Sequence, residues 1–302
     1  MIRRIWALVK DSASNWSEHQ VPSLGAALAY YTIFSLVPLL MVVVGMAGFF
    51  FGQEAARSQI LSEVSGLLGE KSGAIVQDMM QSAQQPKTGL IGTLIGIVTL
   101  LVGASGTFAE LQRALNIICE VQPKPGRGML GLIRDRFLSF ATVVGTGFLL
   151  LVSLVLSAAL AAIGKELPGF LPAPESVLHG LNFLLSFVVI TGLFAMLFKL
   201  LPDVKIRWGD VWIGAAATAL LFDIGKFLIG FYLGKSNIAS VFGAAGSLVI
   251  LLVWIYYSAQ IFLFGAEFTV AYANRYGSKI KPTEQAVAVG VAKDRQRNSR
   301  AA

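Results

Sequence analysis

The sequence has almost none of the residues on which metal centres and disulfide frameworks are built. Its 302 residues include one cysteine and two histidines, His19 and His179, which stand far apart. A single cysteine excludes a disulfide framework and a cysteine-rich metal site. Two distant histidines leave little for a zinc centre or a histidine-based catalytic triad. We therefore expect no metal and no other cofactor.

Motifs of the common enzyme classes are missing as well. The chain has no GxxxxGK[ST] phosphate loop, no HExxH zinc motif and no GxSxG nucleophile elbow. Its loops hold no dense carboxylate cluster for two-metal phosphodiester cleavage, and their basic residues lack the interleaved aromatics of a nucleic-acid platform. The sequence predicts a protein that is not an enzyme and does not bind nucleic acid.

Charge is scarce, and long apolar runs take its place. Only 14% of the residues are charged, 55% are hydrophobic, and the mean hydropathy is +0.70. A water-soluble globule cannot hide so much apolar surface. Crossing about 30 Å of hydrocarbon takes roughly 20 apolar residues as a helix, which satisfies its own backbone in lipid. We predict an all-α polytopic membrane protein with six transmembrane helices, at residues 26–51, 90–109, 137–163, 178–200, 211–232 and 246–272.

The basic residues are distributed unevenly between the two sides of this arrangement. With the N-terminus inside, the inner segments carry 18 lysines and arginines and the outer segments carry 5. Such a bias favours both termini in the cytoplasm. It also accounts for the net charge of +7 through attraction to anionic lipid, without nucleic acid.

Three segments outside the spans have their own patterns. Residues 1–25 contain apolar residues at helical spacing and predict a helix at the inner interface. Residues 52–89 predict amphipathic helices at the outer interface, which either cap the bundle or line a portal for an amphiphile. Residues 273–302 form a basic cytoplasmic tail that we expect to be disordered.

Polar residues inside the spans are the candidate functional groups, because each charge there costs at least about 2.5–3.5 kcal/mol. Asp223 and Lys226 lie three residues apart on one helical face and can pair. Gln260 and Ser35 fall at a similar, central depth. Glu267 lies nearer the cytoplasmic end, either solvated or bound by a basic residue. These groups either line a cavity for a solute, ion or lipid headgroup, or form a buried network that fixes helix packing.

Two further features concern helix shape and packing. Pro38 removes a backbone donor within the first span and predicts a kink. Gly92 and Gly96 form a small-xxx-small pair that predicts close contact of the second span with another helix.

Four strings follow one another over about residues 20–275: SLGAALAYYTIFSLVPLL, LQRALNII, LLPDVKIRWGDVWIGA and SVFGAAGSLVILLVWIYYSAQIFLFGAEFTVAY. Together they resemble the YihY/BrkB family of bacterial inner-membrane proteins. Ser35 and Pro38 in TIFSLVPLL, and Gly265 and Glu267 in LFGAE, match the family's recurring pattern. The resemblance implies a six-helix, multi-pass protein of the bacterial inner membrane, and it supplies no agreed catalytic residues.

Two functional hypotheses follow from these observations. In the first, the protein transports or accommodates a lipid, amphiphile or ion through a polar cavity between the first, fifth and sixth helices. In the second, it is an envelope scaffold whose polar groups only lock the bundle. The expected partners are membrane lipids, with envelope proteins and a homo-oligomer left open.

Overall fold

The computed structural model describes residues 2–68, 73, 76–78, 80–81, 106–124, 175–235 and 246–290. These residues are mostly helical, as long apolar sequences favour. The helices are α1 (Ile2–Glu18), α2 (Val21–Phe51), α3 (Gln53–Leu68), α4 (residues 106–118), α5 (Glu175–Leu200), α6 (Trp208–Lys235) and α7 (Gly246–Arg275).

Four of the six predicted spans lie within described helices. The runs 26–51, 178–200, 211–232 and 246–272 fall inside α2, α5, α6 and α7, respectively. Two stretches, Trp208–Tyr232 and Leu248–Arg275, are long and apolar enough to cross a membrane. The run 137–163 and most of 90–109, with Gly92 and Gly96, lie outside the described residues.

Helix α7 lies at the centre of the described packing. It contacts α6, α2 and α1, and α5 packs on α6. Aromatic rings fill the core between α5 and α7, where Phe262 lies 5.8 Å from Phe194 and 5.0 Å from Phe198 between ring centroids. Buried aromatic pairs at these distances add specific geometry to the apolar contact.

Glycine and threonine alternate across the α6–α7 contact. A Cβ atom on Gly214 would lie 1.9 Å from Oγ1 of Thr269, and one on Gly265 would lie 2.0 Å from Oγ1 of Thr218. Each threonine hydroxyl donates to the glycine carbonyl four residues earlier in its own helix, at 2.7 Å. Two antiparallel Gly-xxx-Thr motifs therefore interlock, which is how small residues let helix backbones approach closely.

The long connection after α2 is partly described. The prediction of helix there agrees with α3, and Val76 and Met80 are fully buried against Val44 of α2. These contacts fit the alternative in which the segment caps the bundle.

The C-terminal segment is ordered well beyond α7, and the expectation of a disordered tail from residue 273 is wrong up to residue 290. Helix α7 continues to Arg275, and the chain then returns to pair with two connections between helices. The sequence pattern did not predict these strand pairs, because strands of two or three residues form only through partners distant in the chain. Strand β1 (Val121–Pro123) pairs with β4 (Ala286–Ala288), and β2 (Val204–Lys205) with β3 (Lys281–Pro282), both antiparallel. Residues 291–302 lie outside the described residues.

Helix α1 forms as predicted and packs at the same end of the bundle. Its Leu8 and Ser12 are buried, and Asp11 accepts a hydrogen bond from Arg275 at the end of α7. We call this end, formed by α1 and residues 119–124, 201–207 and 276–290, the connector end. A kink was also predicted at Pro38. Helix α2 continues as one helix through this residue, so the kink stays a prediction.

Candidate functional site

The predicted ion pair on α6 is present. Nζ of Lys226 lies 3.1 Å from Oδ1 of Asp223, with one turn of helix between the residues. The Asp223 side chain is 14% exposed and that of Lys226 is 41% exposed. The two charges therefore neutralise each other locally, and the lysine still reaches the surface of the bundle.

Ser35 of α2 bonds to a residue of α4. Its side chain is buried, and its hydroxyl shares a hydrogen bond of 2.6 Å with Oγ1 of Thr107 in α4. It also donates to the carbonyl of Thr32 at 3.2 Å. Ser35 thus links α2 to α4.

Gln260 of α7 packs against the start of α2. Its Nε2 donates to the carbonyl of Val21 over a long distance of 3.5 Å. A Cβ atom on Gly25 would lie 2.0 Å from that nitrogen, so only glycine leaves room for the amide. The Oε1 atom of Gln260 is buried and has no hydrogen-bond partner in the described segments.

Among the described residues, Asp223 and Lys226 are the only predicted site residues that the structure joins to each other. Ser35 and Gln260 bond to other partners, in α4 and α2 respectively. The sequence predicted one polar cavity because Ser35, Asp223 and Gln260 lie at similar depths. The observed contacts do not bring these three side chains together. Their functional roles stay predictions.

Glu267 has the most unusual environment of the predicted residues. Its side chain is fully buried in α7, and its Oε1 lies 2.7 Å from Nδ1 of His19. His19 belongs to the short connection between α1 and α2, where Gln20 takes a left-handed conformation with φ of 51°. Of the two alternatives from sequence, the structure supports a carboxylate bound by a basic side chain.

A second carboxylate approaches the same imidazole. Oε1 of Glu120 lies 3.9 Å from Nε2 of His19, and Glu120 also has a positive φ, of 53°. The hydrogen bond to Glu267 is the largest influence on His19 and raises its pKa above the ordinary 6.5, against the opposing effect of burial. A protonated imidazole donates from Nδ1 to Glu267, and its positive charge attracts Glu120 at ion-pair distance, so this geometry suits the charged form. We call His19, Glu120 and Glu267 the connector triad.

The triad leaves one oxygen without a partner. Oε2 of Glu267 is buried and accepts no hydrogen bond within the part of the chain that the structure describes. A buried acceptor left unpaired costs about 1–3 kcal/mol, and more when it is charged. This oxygen is therefore an available site for a proton, a cation or the donor group of a ligand.

Cys119, next to the triad in sequence, is not a nucleophile. Burial, followed by the negative charges of Glu267 and Glu120, raises the pKa of its thiol to about 12. Because the thiolate is the reactive form, this cysteine is inert near neutral pH. Among the described residues, no group of three histidine, cysteine or acidic side chains is placed to hold a metal ion.

Sequence reasoning missed His19 because it weighed the two histidines only as metal ligands or as members of a catalytic triad. His19 and Glu267 are 248 residues apart, so no local pattern joins them. The signal that could have found the pair was the acid itself. A carboxylate in an apolar helix needs a hydrogen-bond donor. Glu267 lies near the predicted cytoplasmic end of the sixth span, and His19 lies just before the first span, at the same predicted side of the membrane.

A separate cavity of about 270 Å³ opens at the connector end. Its polar groups are largely bonded to one another: Arg113 donates to Glu110 at 2.7 Å, and Asn116 exchanges two hydrogen bonds with Asp203. The cavity shares no lining residue with the connector triad. Its walls are Ala109, Gln112, Arg113, Asn116, Ile117, Val121, Gln122, Pro123 and Asp203.

Comparison with known proteins gives a consistent result over most of the chain. The profile of a family described as virulence factor BrkB matches residues 12–289. A UPF0761 membrane protein of Rhodospirillum centenum is 26% identical over 294 residues, which cover 93% of this chain and 62% of the relative. One from Verminephrobacter eiseniae is 31% identical over 252 residues, covering 81% and 57% respectively.

A third relative, the UPF0761 membrane protein of Ralstonia nicotianae, is 29% identical over 271 residues, covering 88% of this chain and 58% of its own length. The chain thus spans about 60% of the length of these curated relatives. No solved structure matches it. The family resemblance drawn from the sequence strings is confirmed.

Proposed function

The chain belongs to the virulence factor BrkB family of membrane proteins, and on that premise we propose that it moves or accommodates an ion or an amphiphile through the membrane without being an enzyme. In this proposal six transmembrane helices cross the bacterial inner membrane, and both termini lie in the cytoplasm. The connector end then faces the cytoplasm. The polar groups of α6 and α7 provide the binding and coupling positions.

The observation that carries the proposal is the free oxygen of Glu267. A fully buried acid in a membrane-length helix is expensive, and an apolar side chain would serve packing alone. One oxygen is held by His19, and the other has no hydrogen-bond partner among the described residues. Intramembrane acids in this state mark ion and proton pathways in many membrane proteins.

Gln260 extends this polar position along the same helix. It lies seven residues before Glu267, which places both on one face of α7, about 10 Å apart along the axis. Each presents a buried oxygen with no partner. The two oxygens define a polar track between α7 and the α1–α2 connection, and an ion or polar headgroup that supplies donors would satisfy both.

Asp223 and Lys226 are the second polar position in the proposal. They lie on α6, and the partly exposed Lys226 can reach a ligand at the surface of the bundle. Lys226 could exchange its bond to Asp223 for a bond to an anionic group of the ligand with little movement of its side chain.

An envelope scaffold is the alternative function, and one observation favours it. Several polar groups already have partners inside the chain, including Ser35 with Thr107 and Asp223 with Lys226. A protein in which these bonds only fix the bundle would recruit other envelope proteins through its surface.

Complementation of a deletion strain separates the two functions. Glu267→Gln keeps the shape of the side chain but removes its charge, so we expect normal membrane insertion and loss of function. Glu110→Gln is the matched control, because Glu110 is also a buried acid but is paired with Arg113 away from the track.

The double variant Asp223→Leu/Lys226→Leu tests the second position in the same strain. Full complementation by both this variant and Glu267→Gln would overturn the transport proposal. A scaffold would instead fail when exposed loop surfaces are changed.

A further inference from the structure

One side of α1 exposes a tryptophan between two cations. Trp6 is 70% exposed, and Arg3 and Lys10 are exposed three residues before and four residues after it. This spacing places the three side chains on one face of the helix. The opposite face holds the buried Leu8 and Ser12, which pack into the bundle. We call Arg3, Trp6 and Lys10 the α1 basic face.

The orientation of this face is fixed by contacts with the rest of the protein. Helix α1 packs on α7 and α2, and its Asp11 is bonded to Arg275. The other acid of α1, Glu18, lies at the far end of the helix. The basic face therefore presents two cations and no acid.

Aromatic and basic residues at or next to the connector end follow the same pattern. Trp208 and Tyr276 are each more than 40% exposed. Nζ of Lys199 lies 5.7 Å from the ring centre of Trp208, and the guanidinium of Arg275 lies 5.9 Å from that of Tyr276. Tryptophan and tyrosine with nearby cations are typical of the headgroup layer of a membrane.

We propose that the α1 basic face is a docking surface for the anionic phospholipid headgroups of the leaflet at the connector end. Arg3 and Lys10 bind lipid phosphates, and the Trp6 ring lies among the headgroups between them. Charge complementarity selects this occupant, since a cationic face without acids matches an anionic surface. The proposal is independent of the transport function and rests on no residue of the polar track.

A single cysteine label can test it in the full-length protein. The native Cys119 has a thiol pKa of about 12, so it stays protonated and reacts slowly with labelling reagents. Ala13→Cys places an environment-sensitive dye on the exposed side of α1, two turns from Trp6, without removing any residue of the basic face. Lys124→Cys places the same dye on another exposed position of the connector end.

The protein is reconstituted in nanodiscs of phosphatidylcholine, with and without phosphatidylglycerol, and quenched with a lipid that carries a headgroup-level spin label. Dye that lies among the headgroups is quenched by this lipid, and dye exposed to water is not. We expect the ratio of quenched to unquenched dye at position 13 to rise with the phosphatidylglycerol content and to fall with the salt concentration. Arg3→Gln should lower that ratio about fivefold, and Arg3→Gln/Lys10→Gln about thirtyfold. Lys205→Gln/Arg207→Gln, which removes two exposed cations elsewhere at this end, should leave it unchanged.

Two outcomes would overturn the proposal. In the first, position 13 is no more accessible to the lipid quencher than position 124, whatever the lipid charge. In the second, the dye is shielded in vesicles that contain many copies but not in nanodiscs that contain one. That result would assign the face to contact with a second copy of the chain.

Discussion

The two sides of α7 are built in opposite ways. Towards α6, Gly265 and Thr269 interlock with Thr218 and Gly214, and both threonine hydroxyls are bonded within their own helices. Towards α1 and α2, Gln260 and Glu267 are held by a long bond and a single short one, and each keeps an unpartnered oxygen.

This difference separates a structural contact from a candidate working surface. Interlocked small residues have no spare space, so α6 and α7 cannot slide without steric overlap. The α2 side has polar atoms whose partners are incomplete, and an added proton, ion or donor group would improve its bonding. We expect changes on the first side to affect folding and changes on the second side to affect function.

The largest loss of stability is expected from a methyl group on the α6 side. Gly214→Ala would place Cβ 1.9 Å from Oγ1 and 2.6 Å from Cβ of Thr269, an atom next to the backbone that cannot rotate away. Overpacking of this kind costs about 1–3 kcal/mol, and we expect the upper part of that range. Equilibrium unfolding in mixed detergent micelles measures the change in the free energy of unfolding.

Gly230→Ala in the same helix is the control, because a Cβ atom there has open space around it. Thr269→Gly removes all three side-chain atoms that the new methyl group would meet, so the double variant Gly214→Ala/Thr269→Gly should recover part of the loss. Strictly additive effects of the two substitutions would contradict the interlocked arrangement.

The next largest effect is expected from His19, and it depends on pH. His19→Gln keeps a donor near Glu267 but cannot carry a charge, so the charge-assisted hydrogen bond, worth about 1.5–3 kcal/mol, is weakened. Because folding raises the pKa of His19 above 6.5, the stabilisation is fully present below about pH 6.5. It is lost as the pH rises through the higher pKa of the folded protein.

Unfolding of the wild type and His19→Gln across pH 5–9 measures this difference. Glu120→Gln is the comparison variant, since Glu120 is 75% exposed and lies 3.9 Å from the imidazole, and it should change the profile far less. A constant difference between the wild type and His19→Gln over the whole range would show that the pair is not charged in the folded protein.

The smallest effect is expected from the equivalent glycine on the α2 side. Gly25→Ala would meet mainly the far end of the Gln260 side chain, which can rotate. The loss is then that of one weak hydrogen bond to Val21, about 0.5–1.5 kcal/mol. If Gly25→Ala destabilises the protein as much as Gly214→Ala in the same unfolding assay, the two sides of α7 do not differ as described.

The parts of the fold that sequence predicted well are those set by local composition. The apolar runs at 178–200 and 246–272 lie in helices because each long run satisfies its own backbone. The Asp223–Lys226 pair was predictable for the same reason, since helical spacing alone brings the two side chains together.

The parts that sequence missed depend on residues distant in the chain. His19 meets Glu267 only after α1 and α7 have packed, and the pairing of residues 121–123 with 286–288 carries no periodic signal. The interlock of Gly214 with Thr269 was missed as well, because each Gly-xxx-Thr motif is unremarkable until its partner is known. The bond between Ser35 and Thr107 was not predicted either, because a similar depth does not fix which neighbour lies beside a side chain.

The strand pairs have a consequence for the order in which the protein is made. Residues 121–123 leave the ribosome more than 160 residues before their partners at 286–288, and residues 204–205 wait in the same way for 281–282. Until translation passes α7, neither connection can close and Glu267 cannot reach His19. Residues 281–288, which follow α7, therefore complete the packing of connections that were synthesised long before them.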